Sequence, residues 1–242
     1  MIEMTDSILI FMHIPKTGGS TLNEIFKNQY KKDEVLIHMP LDRLASEFSN
    51  LPDIKHDKIK GISGHYNFGV HKHINKPYTY FSMVRHPIDR VISLYYFLSR
   101  SPGYARYEEL KGMTLEEFVT QNKQANNHQT LFFSGNNTFD LALAKKNLEN
   151  HFPVVGVTDM FNESTFLMTK KFNWEYRDYK KINVTVNRPS LKEIPKNILD
   201  IIEQNNHLDM ELYKYVKDRL IRQLDLLSPE DYKKMQQNKE GF

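Results

Sequence analysis

The sequence predicts an α/β fold: a central, mainly parallel sheet flanked by helices, with a helical C-terminal part. Three segments read as a strand followed at once by a helix, the alternation that sets parallel strands side by side under helical covers. Late in the chain the pattern turns wholly helical, with Leu208, Leu212, Val216 and Leu220 at a spacing of four. No repeat, low-complexity tract or Gly/Ser/Pro-rich linker divides the 242 residues, so they read as one domain, 1–242.

The elements follow in order. Ser7 to His13 is a short β-type run, Pro15 to Ser20 a breaker-rich turn, and the next helix carries Leu22, Ile25, Phe26 and Tyr30 on one face. Tyr78 to Val84 is a β-branched and aromatic run. His86-Pro87 then opens a helix whose inner stripe is Ile88, Val91, Ile92 and Tyr95, with Pro at a favoured first-turn position. Val154 to Val157 starts the third unit, followed by a helix holding Phe161, Phe166, Leu167 and Phe172. Residues 31–77 and 99–150 are less regular, although Val35-Leu-Ile37 reads as a short strand.

Composition narrows the function. Lys plus Arg is 33 and Asp plus Glu is 30, a net charge of +3. That surplus predicts no nucleic-acid partner by itself, so any anion site must be local. There is no Cys, which excludes disulfides, thiolate chemistry and Cys-based metal sites. Ile8 to Met12 is too short to span a bilayer, and Glu3 and Asp6 stand where a signal peptide carries basic residues. A soluble, reducing, cytoplasmic setting without a membrane span is expected.

The sharpest feature is His13-Ile-Pro-Lys-Thr-Gly-Gly-Ser-Thr21, between the first strand and the first helix. Gly18 and Gly19 remove side chains where backbone must approach a ligand. The backbone N–H groups of a helix start, beside the positive end of its dipole, suit a phosphate or sulfate. Ser20 and Thr21 add hydroxyls, and Lys16 adds a full charge. The ordinary nucleotide loop is G-x-x-x-x-G-K-[ST]. Here the Lys precedes the glycines and no Gly opens the loop. The plain alternative is a Gly-containing turn with Ser as N-cap.

This loop resembles the 5′-phosphosulfate loop of sulfotransferases, and most of all that of carbohydrate sulfotransferases such as the heparan sulfate 2-O- and 6-O- enzymes. Phe81-Ser-Met-Val-Arg-His-Pro-Ile-Asp-Arg-Val-Ile-Ser93 is similar to the family's 3′-phosphate motif. The resemblance implies a P-loop-like sheet and 3′-phosphoadenosine 5′-phosphosulfate as sulfuryl donor. It assigns donor binding to Lys16, Thr17, Gly18, Gly19, Ser20, Thr21, Arg85 and Ser93. An Arg offers a planar fork of donors to a phosphate, and a Ser adds a neutral one. Taken singly, Arg85 could instead pair with Asp89, and Ser93 could be an ordinary helix Ser. Asn127-His-Gln-Thr, Ala144-Lys-Lys-Asn-Leu148, Val155-Gly-Val-Thr158 and Leu208-Asp-Met-Glu-Leu-Tyr213 also have counterparts in the 6-O group. They are equally compatible with core or capping roles. Late loops in similar enzymes close over the donor, which points to Arg188 and, more weakly, Asn187 in Asn183 to Ser190.

An acceptor hydroxyl needs a base, and neutral His can take its proton near pH 7. Of ten histidines, His65 in Gly61-Ile-Ser-Gly-His matches the context of the family's catalytic His. His38 is the reserve, and His13 supports the loop. Lys16 is placed at the bridging oxygen, where negative charge grows as the bond to sulfur breaks. His71-Lys-His73 reads as exposed loop or as basic residues near an anionic acceptor, and Lys72 to Lys76 as solvated surface or an anionic-sugar contact. No metal is expected. The expected partner is a hydroxyl acceptor, a saccharide or glycolipid. A nucleotide-dependent P-loop kinase and a non-catalytic nucleotide-binding module are the competing readings.

Overall fold

Ile8–Met12 forms the first strand, β1, and every one of its five side chains is buried. A strand apolar on both faces belongs at the centre of a parallel sheet, and β1 lies there. The computed structural model describes residues 7–50, 57–104, 107–176 and 189–239. Within them Val35–Ile37 is β2, Gly61–Gly64 is β3, Tyr78–Val84 is β4 and Val154–Val157 is β5. The sheet order is β2-β3-β1-β4-β5, and all four pairings are parallel.

The helices longer than one short turn are α1 (Gly19–Lys27), α2 (Leu41–Asn50), α3 (Pro87–Leu98), α4 (Leu115–Gln121), α5 (His128–Ser134), α6 (Leu141–His151), α7 (Phe161–Phe172), α8 (Lys196–Asn205), α9 (His207–Asp225) and α10 (Pro229–Lys239). Leu212, Val216 and Leu220 of the predicted C-terminal stripe are buried in the main core with the sheet, so α9 is a cover of the sheet. A second core joins Val91, Ile92 and Leu98 of α3 to Phe118 of α4 and Ile198 and Ile202 of α8. Among the described residues no helix is long and apolar enough to cross a membrane.

The three strand–helix units stand where the sequence places them, and so does the short strand at Val35–Ile37. Strand β3 has no counterpart in the sequence reading, because Gly-Ile-Ser-Gly has almost no strand propensity. Its glycines answer to packing. A Cβ on Gly61 would stand 2.5 Å from Phe26 Cζ, and one on Gly64 would stand 2.4 Å from Tyr66 Cζ.

From β1 the chain runs out to β2 and returns through β3, and β4 then pairs on the other side of β1. The loops leaving the carboxyl ends of β1 and its neighbours therefore diverge there, which opens a crevice at the topological switch point.

Candidate active site

Each strand stops one residue before a side chain that faces this crevice or its rim. His13 follows β1, His38 follows β2, His65 follows β3, Arg85 follows β4 and Thr158 follows β5. Register aligns them: Met12 pairs with Gly64, Ile37 with Ser63 and Val84 with Val157. Residues scattered over 145 positions of sequence are thus carried to one edge.

Two cavities open at that edge. The larger, about 850 Å³, is lined by Lys16, Gly18, Gly19, Ser20 and Thr21 of the first loop and by Arg85 and Ser93 of the second motif. Asp159, Phe161, Tyr213 and Lys217 close its far wall. The smaller, about 580 Å³, is lined by His38, Met39, Leu41, Phe68, Lys72 and His73 among others. His65 lines both, and among the described residues it is the one that does.

The first loop is shaped by both glycines. Gly18, the N-cap of α1, has φ 76 in the left-handed region, and Lys16 has φ 70. Ser20 is therefore inside the first turn and is not its cap. A Cβ on Gly19 would sit 1.8 Å from His13 Nε2, and one on Gly18 would sit 3.1 Å from Phe161 Cε2. The pair makes room for a His and a Phe of the protein. The side chain of Thr17 does not line the cavity: it is fully buried and its hydroxyl donates to the Ile14 carbonyl at 2.8 Å. Arg188 and Asn187 lie outside the described residues.

The two motifs touch. Arg85 Nη1 donates to the Lys16 carbonyl at 3.3 Å. Lys16 Nζ lies 4.0 Å from the centre of the Phe97 ring. Burial, with the Arg85 charge adding to it, lowers the Lys16 ammonium to about 8.

A buried amide holds Arg85 in place. Gln129 Oε1 accepts from the Arg85 N–H, and Gln129 Nε2 donates to the Arg85 carbonyl, both at 2.9 Å. Gln129 is seated in turn by a reciprocal pair of caps. Asp209 accepts from the backbone N–H groups of Gln129 and Thr130 at the start of α5. Asn127 Oδ1 accepts from those of Leu208 and Asp209 at the start of α9. The segments around Asn127 and Leu208 thus buttress the site. The sequence marks both segments but gives no sign that they meet. Tyr213, from the same stretch, reaches the cavity wall and donates to Asp159 at 2.8 Å.

The histidines form a cluster. Ring centres of His13 and His65 are 4.4 Å apart, and His38 lies 5.8 Å from each. His65 Nδ1 stands 2.8 Å from the His13 carbonyl oxygen. A carbonyl only accepts, so Nδ1 carries the proton and Nε2 keeps its lone pair. Burial is the main cause that lowers the His65 pKa; the carbonyl bond opposes it and the charge of His38 adds to it. The ring is thus neutral at pH 7, with the Nε2 lone pair available to a proton. Burial, His65, His38 and Lys16 hold His13 well below the usual imidazole range. His71 is elsewhere, stacked on Tyr78 and bonded to the Tyr80 hydroxyl at 2.9 Å, whereas Lys72 and His73 stand on the rim of the smaller cavity.

The profile described as Sulfotransferase family matches residues 2–216. Similar curated proteins include heparan-sulfate 6-O-sulfotransferase 2 of Homo sapiens, 23% identical over 97% of this chain and 48% of its own length. Heparan-sulfate 6-O-sulfotransferase 3 of Homo sapiens is 26% identical over 87% of this chain and 57% of its own. Heparan sulfate 2-O-sulfotransferase 1 of Homo sapiens is 24% identical over 69% and 55%. The chain spans about half the length of the curated relatives it matches. Among solved structures, mouse sulfotransferase SULT7A1 complexed with PAP is similar with a TM-score of 0.44 and 16% identity, covering 72% of this chain and 61% of that chain.

Proposed function

The chain belongs to the sulfotransferase family, and on that premise we propose that it moves a sulfuryl group from 3′-phosphoadenosine 5′-phosphosulfate to an acceptor hydroxyl by in-line displacement. The donor binds in the larger cavity and supplies an already activated sulfuryl group. The first turn of α1 and the hydroxyls of Ser20 and Thr21 receive its 5′ end. Arg85 and Ser93 receive its 3′-phosphate. The acceptor enters the smaller cavity. Its hydroxyl oxygen bonds to sulfur while its proton passes to His65 Nε2, and the sulfur–oxygen bond to phosphate breaks. Lys16 turns from Phe97 toward the oxygen released, where a positive charge favours the transition state over the ground state.

The observation that carries this reading is the shared wall. A base must touch the acceptor hydroxyl and lie beside the sulfur, and His65 lines both cavities. A saccharide acceptor fits the family resemblance and the lining of the smaller cavity. Phe68 and Leu41 offer apolar surface to a ring face there, and Lys72 offers positive charge at the rim.

Incubation with labelled donor and a panel of saccharide and glycolipid acceptors tests the reading. Labelled, sulfated acceptor formed without added metal is the expected result. Saturation with 3′-phosphoadenosine 5′-phosphate at one hundred times its Kd should add about 2.7 kcal/mol of stability. Stabilisation by Mg·ATP and none by the 3′-phosphorylated ligand would overturn it in favour of a kinase. Donor binding without transfer to any acceptor would favour a binding module.

A further inference from the structure

We propose that His13, His38 and His65, with Asn23, form a site for a divalent transition-metal ion such as Zn²⁺, placed between the two cavities, and that an ion bound there switches the enzyme off. One nitrogen from each ring lies within 4.8 Å of the other two. His13 Nδ1 and His38 Nε2 already face one atom, the Asn23 amide nitrogen. Asn23 Nδ2 lies 3.4 Å from His13 Nδ1 and 3.2 Å from His38 Nε2. Such gaps are close to those between neighbouring ligands on one ion, since Zn–N bonds of about 2.0–2.1 Å set tetrahedral ligands about 3.4 Å apart. Turning the Asn23 amide over puts Oδ1 in place of that nitrogen, as a fourth ligand to an ion seated between it and the rings. Ser63 Oγ, 2.5 Å from Oδ1, serves either end of the amide because a hydroxyl both donates and accepts.

The surroundings are those of a metal-binding imidazole. His65 Nδ1 is tied to the His13 carbonyl, the outer contact that orients a ligating ring and leaves Nε2 free. Asn23 and Ser63 are buried, whereas His38 and His65 face the smaller cavity, which gives an ion its path. An imidazole-rich set without a carboxylate selects Zn²⁺, Co²⁺, Ni²⁺ or Cu²⁺ over Mg²⁺ and Ca²⁺. The inhibitory consequence rests on His65 as the base: an ion on its Nε2 occupies the lone pair that would take the acceptor proton. Metal-free transfer and metal inhibition are then two states of one cluster.

Calorimetric titration of the full chain with ZnCl₂, and with CoCl₂ followed by its visible absorption, tests the site directly. One Zn²⁺ per chain is expected, with negligible binding of MgCl₂. His38→Asn keeps a residue suited to the left-handed backbone at φ 55. It and His65→Ala should each lower Zn²⁺ affinity at least about 10-fold, the low end for disturbing even an outer contact. Wild-type transfer should stop with Zn²⁺ and return with EDTA. Absence of Zn²⁺ binding, equal binding of Mg²⁺, or unchanged affinity in both variants would overturn the site. Zn²⁺ bound through these residues with transfer continuing undiminished would overturn the switch. Absence of transfer under every condition would defeat the sulfotransferase reading, and the titration would still decide the site.

Discussion

Gln129→Leu is the most informative single substitution, because Gln129 touches no ligand in the proposed reaction and yet holds the residue that does. Its side chain is fully buried and spends both ends of its amide on the backbone of Arg85. Leu has a similar volume, so the change removes polarity more than packing. It strands one N–H and one carbonyl, each worth about 1–3 kcal/mol when left unpaired in the interior. Arg85 is only half-buried and borders the cavity. Water therefore repairs part of the loss, and the lower end applies, about 2–3 kcal/mol. Urea unfolding should show this as a lower midpoint at unchanged slope. Calorimetry with 3′-phosphoadenosine 5′-phosphate should show the other half. If freeing the Arg85 backbone costs the guanidinium 1.4 kcal/mol of phosphate contact, Kd rises about 10-fold. Lost stability with an unchanged Kd would refute the claim that the amide aims Arg85. No change in either would refute the hydrogen bonds themselves.

Three further outcomes are expected. His65→Ala should leave the Kd for 3′-phosphoadenosine 5′-phosphate unchanged and reduce kcat by about 10²-fold or more; near-normal turnover would move the base to His38. Lys16 acts as a cation, and burial and Arg85 bring it to about 8, so its charge is present below that pH and lost above it. kcat/KM for the donor should therefore fall as pH rises through about 8. The limb in kcat should lie higher, because a bound anion favours the ammonium; a profile flat up to the ordinary lysine range would refute the role. Gly19→Ala drives a methyl to within 1.8 Å of His13 Nε2 and should cost about 1–3 kcal/mol in strain while abolishing donor binding. A full thermal shift by the donor product in that variant would show that the loop tolerates the displacement.

The parts of the fold legible in the sequence were those with a strong local signal. β1, β4 and β5 are short apolar or β-branched runs, and Pro87 starts α3 at the expected place. The loop from His13 to Thr21 and Arg85 were legible through their resemblance to the family's motifs, and they line one cavity. β3 was not, because its glycines are chosen by Phe26 and Tyr66, which lie far away or point back across the strand. Gln129, Asp209 and Asn127 were visible only as fragments without a role, since their hydrogen bonds join residues about 80 positions apart.

What the sequence determined by itself was therefore the alternation of strand and helix and the two motifs that carry the family resemblance. Each of these depends on near neighbours along the chain. The tertiary structure alone decided which histidines meet. Parallel register aligns Met12 with Gly64, so His13 and His65 stand side by side, and Ile37 with Ser63, which brings His38 to the same edge. That register is set by which faces bury against helices, a property of the assembled sheet that no single strand encodes.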